Sequence, residues 1–216
     1  MLLRDDLVLL TPSDLVGATS APTGTAGDDV QQVWQWASTF VCSPHADLGR
    51  RGAVCPYTLG SIDHEIFYLG FPAVSGLGPG EIMTVVRRYR DWYLDLRDQA
   101  PQARRHLVSV VVVLADTDRT DPGPLEAIHA ELKPEFIELG LMLGEFHPTC
   151  STPGVWSAEF RPLRSPVPML VMREMMASDL PFLTSRPDHI AAYFERFGQG
   201  IPAHTRRFLV DRLIDR

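Results

Sequence analysis

The sequence predicts one α+β domain, in which a mostly antiparallel sheet of split βαβ order has helices packed on it and a helical C-terminus. The main observation is the order of the predicted elements: strand, helix, strand, helix, strand, strand and then helices, which is typical of this fold class. The second is that 216 residues with 45% hydrophobic content suffice for one sizeable core. The third is the lack of any internal repeat.

The N-terminal residues 1–29 are predicted to be a mobile tail and linker that precedes the single domain of residues 30–216. Residues 17–29 are rich in Gly, Ala, Thr and Pro, so they have little apolar surface to offset the entropy that is lost on ordering. A docking strand is the alternative for residues 1–16.

The predicted strands are short runs of apolar, β-branched or aromatic residues. The strongest is residues 107–114, LVSVVVVL, which is almost continuously apolar. A strand of this kind is buried on both faces, so we expect it at the centre of the sheet, paired on both sides. The predicted strands cover residues 66–71, 107–114, 141–146 and 167–172.

The predicted helices have apolar residues at helical spacing, and two of them begin at a proline. Pro79 and Pro124 open helices because proline fits the first helical position, and we expect Pro134 to kink or restart the second one. We expect these helices on one face of the sheet. The predicted helices cover residues 30–41, 79–99, the region from residue 124, 187–197 and 203–214.

Composition and charge limit the class of partner. The net charge of −7 argues against nucleic acid or an anionic membrane as a general partner, because both require a basic surface. No stretch approaches the roughly 20 apolar residues that span a bilayer, and the N-terminus lacks the pattern of a signal peptide. Three cysteines do not make a disulfide framework. We therefore expect a cytoplasmic protein that acts on a small molecule, and a homodimer is left open.

The segment from residue 144 to residue 173 is the predicted chemical centre. His147 follows a predicted strand and precedes a proline, so it lies on a constrained strand-end loop, where functional residues collect. Imidazole titrates near neutrality and binds metals or haem iron. Glu145 is close enough in sequence to act with His147 as an acid–base pair. The alternative is a surface or capping histidine.

Three arginines bracket the last predicted strand: Arg161, Arg164 and Arg173. A guanidinium binds the carboxylate of a substrate, or a haem propionate, through two hydrogen bonds. The alternative is that these arginines form ion pairs with glutamates of the same region, namely Glu145, Glu159 and Glu174.

The cysteines allow two further hypotheses. In the Cys55-Pro56 dipeptide, proline keeps the preceding residue extended and exposes its thiol, which is suited to a haem ligand; an inert buried cysteine is the alternative. A tetrahedral zinc site is also conceivable, because two Cys/His pairs have the spacing of zinc ligands. Its ligands would be Cys42, His45, His147 and Cys150.

The segments VCPYTLG, LGLMLGEFHP and RPLRSPVPMLVMREMMASDLPFL resemble an uncharacterised bacterial domain family, over about residues 40–185. More distantly, the order Cys-Pro, strand, long helix, strand, helix, His-Pro and Arg-rich strand is similar to that of the YqcI/YcgG family, some of whose members are haem-dependent N-oxygenases. The matching positions are Cys55-Pro56, His147-Pro148, Arg161, Arg164 and 166–171. Thr149-Cys150-Ser151 stands where that family usually has Ser-Arg after His-Pro.

This resemblance implies a haem-dependent enzyme that oxidises a small, nitrogen-containing metabolite in a biosynthetic or tailoring pathway. His147 would ligate the iron, the three arginines would bind the cofactor, and Glu145 and Cys55 would be catalytic. The second hypothesis is a non-redox acid–base enzyme, a cyclase or isomerase, that acts on an anionic small molecule. The third is a non-catalytic small-molecule-binding protein. We expect His147, one of Arg161 and Arg164, and Cys55 to share one pocket.

Overall fold

The computed structural model describes residues 1–16 and 25–201, together with Leu209 and Leu213. Its strands are β1 (Leu2–Arg4), β2 (Leu7–Leu9), β3 (Phe67–Gly70), β4 (Ser109–Val113), β5 (Leu141–Phe146) and β6 (Met169–Glu174). Its α-helices are α1 (Pro12–Val16), α2 (Thr25–Gln35), α3 (Thr58–Asp63), α4 (Pro79–Gln99), α5 (Gly123–Glu138) and α6 (Pro187–Phe197). A π-helix spans Trp36–Val41, and short 3₁₀ helices span Ala46–Leu48, Gln102–Leu107 and Ala177–Phe182.

The main sheet has the strand order β3-β4-β6-β5. Strands β3 and β4 are parallel neighbours with α4 between them in the chain, whereas β6 is antiparallel to both β4 and β5. The single α+β domain, the split βαβ order and the mostly antiparallel sheet are therefore confirmed.

Strand β4 lies at the centre of the sheet, as predicted. It pairs with β3 on one side and with β6 on the other, and Val110, Val112 and Val113 are completely buried. Because the branched side chains pack against layers on both faces, the uninterrupted apolar run is explained without any alternation of polar residues.

Successive residues of β4 point to opposite faces of the sheet. Val110 and Val112 belong to the core that α4 and α5 close, while Val111 and Val113 pack with residues of α2. Helices were expected on one face only. The second face is instead crossed by α2 and the π-helix, so that helices cover parts of both faces.

The first residues of the chain form a β1–β2 hairpin that packs on the domain, which corresponds to the alternative of a docking strand. Leu9 and Leu10 are fully buried. Leu10 and Leu69 exchange two backbone hydrogen bonds of 2.8 and 2.9 Å, so the hairpin extends to the edge of β3. Most of the predicted linker, residues 17–24, lies outside the described residues, and the division of the chain at residue 29 stays a prediction.

At the C-terminal side, α6 follows its predicted bounds and packs against the β5 edge of the sheet. Ile190 and Phe194 of α6 contact a cluster that includes Met142 and Ile137. The predicted helix over residues 203–214 lies outside the described residues except for Leu209 and Leu213, which are both helical. Among the described helices, none combines the length and the hydropathy that a membrane span requires.

Candidate functional site

A cavity of about 680 Å³ lies on the face of the sheet opposite α4 and α5, and we call it the sheet-face pocket. Its floor consists of side chains from all four strands of the main sheet. Its sides come from the π-helix, the segment before α3, the β5–β6 loop and the three 3₁₀ helices. The floor residues are Phe67, Ser109, Val111, Phe146, Val171 and Arg173.

One side of the pocket is the π-helix, through Trp36, Ala37 and Val41. The amide of Cys42 donates to the carbonyl of Ala37 over 3.2 Å, five residues back, which widens the turn relative to an α-helix. Short π-helical turns inside helices are frequent at functional sites. The π-helical turn is therefore a further indication that the pocket beside it is a functional site.

The polar centre of the pocket is an ion pair between Arg173 and Asp179. The guanidinium donates to both carboxylate oxygens, over 2.7 and 2.6 Å, and the Asp179 side chain is only 2% exposed. Burial alone would lower the pKa of Arg173, but the hydrogen bonds and the charge of Asp179 raise it. The guanidinium also lies over the Tyr57 ring, 5.4 Å from its centroid. Arg173 is therefore a charged and fixed part of the wall.

Tyr57 connects this ion pair to the rest of the pocket. Its hydroxyl lies 3.0 Å from Oγ of Ser178, and its ring meets the ring of His106 edge to face, with the centroids 6.5 Å apart. His106 and Ser178 both line the cavity. The pocket thus contains an imidazole and the hydroxyl groups of Tyr57 and Ser178 in addition to the ion pair.

Cys55 is the one cysteine of the chain that lines the pocket. Its amide donates to the carbonyl of Val41 over 3.0 Å, which ties the Cys-Pro segment to the π-helix. Cys42 lies nearby, but burial, together with the charges of Cys55 and Asp63, raises the pKa of its thiol to about 11. Cys150 is buried outside the pocket. A thiol reaction with a bound molecule would therefore use Cys55.

Arg50 also lines the pocket, and it differs from Arg173 in its partners. Its guanidinium donates to the carbonyls of Arg51 and Val54, each over 3.0 Å. Within the described part of the chain it forms no ion pair. Arg50 therefore keeps an uncompensated positive charge at the pocket wall.

His147 lies away from this pocket, toward α5. Its side chain is 2% exposed; Nδ1 is 3.1 Å from the Thr149 hydroxyl, and Nε2 is 3.6 Å from the Glu126 carboxylate. That second distance is too long for a hydrogen bond, although it suits a charged pair. His147 borders a cavity of about 40 Å³, which has room for about one water molecule.

The prediction that Cys55 and His147 share one pocket is therefore wrong. Phe146 lines the sheet-face pocket, and its neighbours in sequence, Glu145 and His147, face α5 on the other side of the sheet. Nδ1 of His129 and Oε2 of Glu145 are 3.0 Å apart, at an ion-pair distance without the direction of a hydrogen bond. Cys55 and His147 lie on opposite sides of the sheet.

The other predicted arginines hold the β5–β6 loop. Arg161 donates to the carbonyls of Ala158 and Phe160, and Nε of Arg164 donates to the carbonyl of Cys150 over 3.1 Å. Neither lines the sheet-face pocket. Their predicted ion pairs with glutamates are likewise not formed. Of the six predicted site residues, the pocket contains Cys55 and Arg173, and the predicted chemical roles of all six stay predictions.

The zinc hypothesis receives no support from the geometry. In the described part of the chain, no three His, Cys, Asp or Glu side chains come together in a group that could hold a metal ion. The four residues named for it therefore do not form a tetrahedral site.

Sequence analysis missed several pocket residues. Tyr57 and Asp179 lie in VCPYTLG and in the stretch ending DLPFL, two of the segments on which the family resemblance rests, so polar residues inside those segments were a usable signal. Arg50, His106 and Trp36 follow no motif. Only the folded chain brings them together.

Comparison with known proteins places the chain in a family. No curated protein and no solved structure matches it, and the similarity to the YqcI/YcgG family is not shown. A family model does match, over residues 30–208, which is most of the chain and contains every strand of the main sheet. The chain belongs to the family described as a domain of unknown function, DUF6875.

Proposed function

We propose that this protein is an enzyme that binds a small, mainly apolar organic molecule in the sheet-face pocket and uses Cys55 as its reactive group. The observation on which this depends is the cavity of about 680 Å³, which has the volume of a typical small-molecule site. Such sites combine apolar walls with a few fixed polar groups. Here those groups are Cys55, Tyr57, His106 and the Arg173–Asp179 pair.

The chemistry available at Cys55 is that of a nucleophile. A thiolate attacks electrophilic carbon. His106 is the one histidine among the described residues that line the pocket, so it is the candidate for moving a proton to or from the bound molecule.

A haem is the second candidate ligand of the same pocket, and the position of Cys55-Pro56 favours it. Both residues line a large apolar cavity, whereas the cavity beside His147 has room for about one water. Cys55 would then ligate the iron and Arg50 would pair with a propionate. The bound haem would supply the oxidation of a small nitrogen-containing metabolite, as the distant resemblance implies.

Thiol labelling tests the first proposal. We expect N-ethylmaleimide to modify Cys55 first, with peptide mass spectrometry as the readout, because Cys150 is buried and the Cys42 thiol has a raised pKa. A molecule bound in the pocket should slow this labelling. Cys150→Ser is the control that leaves labelling unchanged. Equal labelling of Cys42 and Cys55, or no reaction at Cys55, would contradict the proposal.

Titration with hemin tests the second candidate. We expect a Soret band for the wild type that shifts in Cys55→Ser and is unchanged in His147→Ala. A band that His147→Ala removes would instead support the ligand that the sequence predicts. A protein without affinity for hemin would exclude haem and leave the thiol proposal to the labelling experiment.

A further inference from the structure

We infer that the molecule bound in the sheet-face pocket is an amphipathic organic anion, whose carboxylate or equivalent group binds Arg50 and whose apolar part lies over the sheet. The inference rests on the proposed function, because it takes the pocket as the binding site. It adds the chemical class of the ligand and the residue that selects it.

The two arginines of the pocket differ in what they can offer a ligand. Arg173 gives two hydrogen bonds to Asp179 and another, of 2.8 Å, to the carbonyl of Glu174. Its charge is compensated by the buried carboxylate. Binding a second anion there would require the ion pair to open, which leaves the buried Asp179 carboxylate without its partner and is strongly unfavourable.

In the part of the chain that the structure describes, Arg50 has no such partner. A guanidinium has five N–H donors, and the hydrogen bonds that Arg50 gives to described residues go to the two neutral carbonyls. The remaining donors and the full charge are available. A carboxylate, which accepts hydrogen bonds and carries the opposite charge, matches these remaining donors better than a neutral group does.

The position of Arg50 also fixes how the ligand would lie. The Arg50 guanidinium donates to the carbonyl of Val54, the residue before Cys55, so an anionic group on Arg50 would be held beside the Cys55 segment. Most of the remaining cavity surface is apolar and includes Trp36, Val111 and Val171. The polar end of the ligand would therefore lie at Arg50 and its apolar end between the π-helix and the sheet.

Two dyes of the same shape separate charge from apolar contact. The probes are 1-anilinonaphthalene-8-sulfonate, which is anionic, and N-phenyl-1-naphthylamine, which is its neutral counterpart. Each is titrated by fluorescence into the wild type, Arg50→Gln and Arg51→Gln. Arg51 is the matched control, because it is the adjacent arginine in the chain but is exposed and does not line the pocket.

We expect Arg50→Gln to weaken binding of the anionic dye about tenfold, the loss typical of a hydrogen bond to a charged group. The neutral dye should change by less than about twofold, since it makes only apolar contacts. Arg51→Gln should leave both dyes unchanged. The inference is overturned if Arg50→Gln leaves the ratio of the two affinities unaltered, or if Arg51→Gln lowers it equally.

Blocking the pocket separates a failure of this inference from a failure of the proposed function. Modification of Cys55 with N-cyclohexylmaleimide places a bulky apolar group in the cavity without a mutation in the core, and Cys55→Ser treated in the same way is the control. We expect the modified wild type to lose both dyes. If both dyes still bind, the sheet-face pocket is not the binding site and both proposals fail. If the modified protein loses both dyes but Arg50→Gln leaves the ratio of the two dye affinities unchanged, only the anion preference fails.

Discussion

Arg173 in β6 and Asp179 in the following 3₁₀ helix are joined by two hydrogen bonds of 2.7 and 2.6 Å. The same carboxylate accepts a third, of 2.7 Å, from the amide of Met176, where the chain leaves the sheet. Asp179 thus does two things: it compensates a partly buried guanidinium and it caps the turn that forms one side of the pocket. The ion pair is consequently a structural part of the sheet-face pocket.

Replacing Asp179 by Asn should destabilise the fold by about 3 kcal/mol. The change preserves the shape of the side chain but removes the charge, and breaking a buried pair leaves its partner uncompensated. Urea unfolding measures the loss. Asp188→Asn is the control, because Arg186 and Asp188 are 54% and 53% exposed, and a surface pair contributes at most about 1 kcal/mol. Equal losses in the two variants would show that Asp179 is not effectively buried.

The N-terminal hairpin should contribute to stability through its buried face. We expect Leu9→Ala to cost about 2–4 kcal/mol, because Leu9 is completely buried in the main core. Leu3→Ala in the same hairpin should cost less than about 0.5 kcal/mol, since Leu3 is 67% exposed. Chemical denaturation of both variants checks this, and a stable Leu9→Ala protein would mean that the hairpin does not dock in solution.

Gly70 should resist substitution because its neighbour leaves no space. A Cβ there would lie 2.5 Å from the Tyr89 ring, whose hydroxyl donates to the carbonyl of Val8 over 3.2 Å. We expect Gly70→Ala to cost about 2–3 kcal/mol. Gly80→Ala, in the first turn of α4, meets nothing within 4 Å and should stabilise by up to about 1 kcal/mol. Thermal melts of the two variants should shift in opposite directions.

His189 should make stability depend on pH. Its side chain is 3% exposed, and among the described residues neither ring nitrogen has a hydrogen-bond partner. Burial lowers its pKa from the ordinary value of 6.5, and the neighbouring charges of Lys133, Arg186 and His129 add to this against the opposing charge of Asp188. The unfolded chain therefore binds the proton more readily than the folded chain. The contribution of the neutral His189 to the free energy of unfolding is fully present above pH 6.5 and is lost as the pH drops below it.

Unfolding of the wild type and His189→Met at about pH 7.5 and pH 5 measures this contribution. The loss of stability between the two pH values should be smaller in the variant, which has no proton to bind at that position. His64→Gln is the control at an exposed histidine and should keep the pH dependence of the wild type. An identical pH dependence in His189→Met would show that burial does not disfavour the charged imidazole.

The elements that depend on local pattern were predicted well from the sequence. The run of valines in β4 is apolar on both faces, and burial on both faces is the one environment that suits it, so its central place followed from the residues alone. Pro79 fits the first position of a helix but not its interior, and α4 begins there. The element order then determined the split βαβ arrangement.

The composition of the site depended on tertiary structure. Phe146 and His147 are adjacent in the sequence, yet alternation at the end of β5 sends one to the sheet-face pocket and the other toward α5. Which face holds the pocket depends on where α2 and the π-helix cross the sheet. No spacing in the sequence encodes that crossing, because it results from long-range packing of Val33 and Ala37 on the strands.

The ion-pair partners also depended on tertiary structure. The sequence named Glu145, Glu159 or Glu174 as partners of its arginines, whereas Arg173 pairs with Asp179, and Glu174 accepts from Arg196 of α6. By itself, the sequence determined the fold class and the central strand, and it named Cys55 and Arg173, which both line the sheet-face pocket. Only the folded chain decided which charges are compensated and that Arg50 is not, because charges pair through distances set by packing rather than by their separation along the chain.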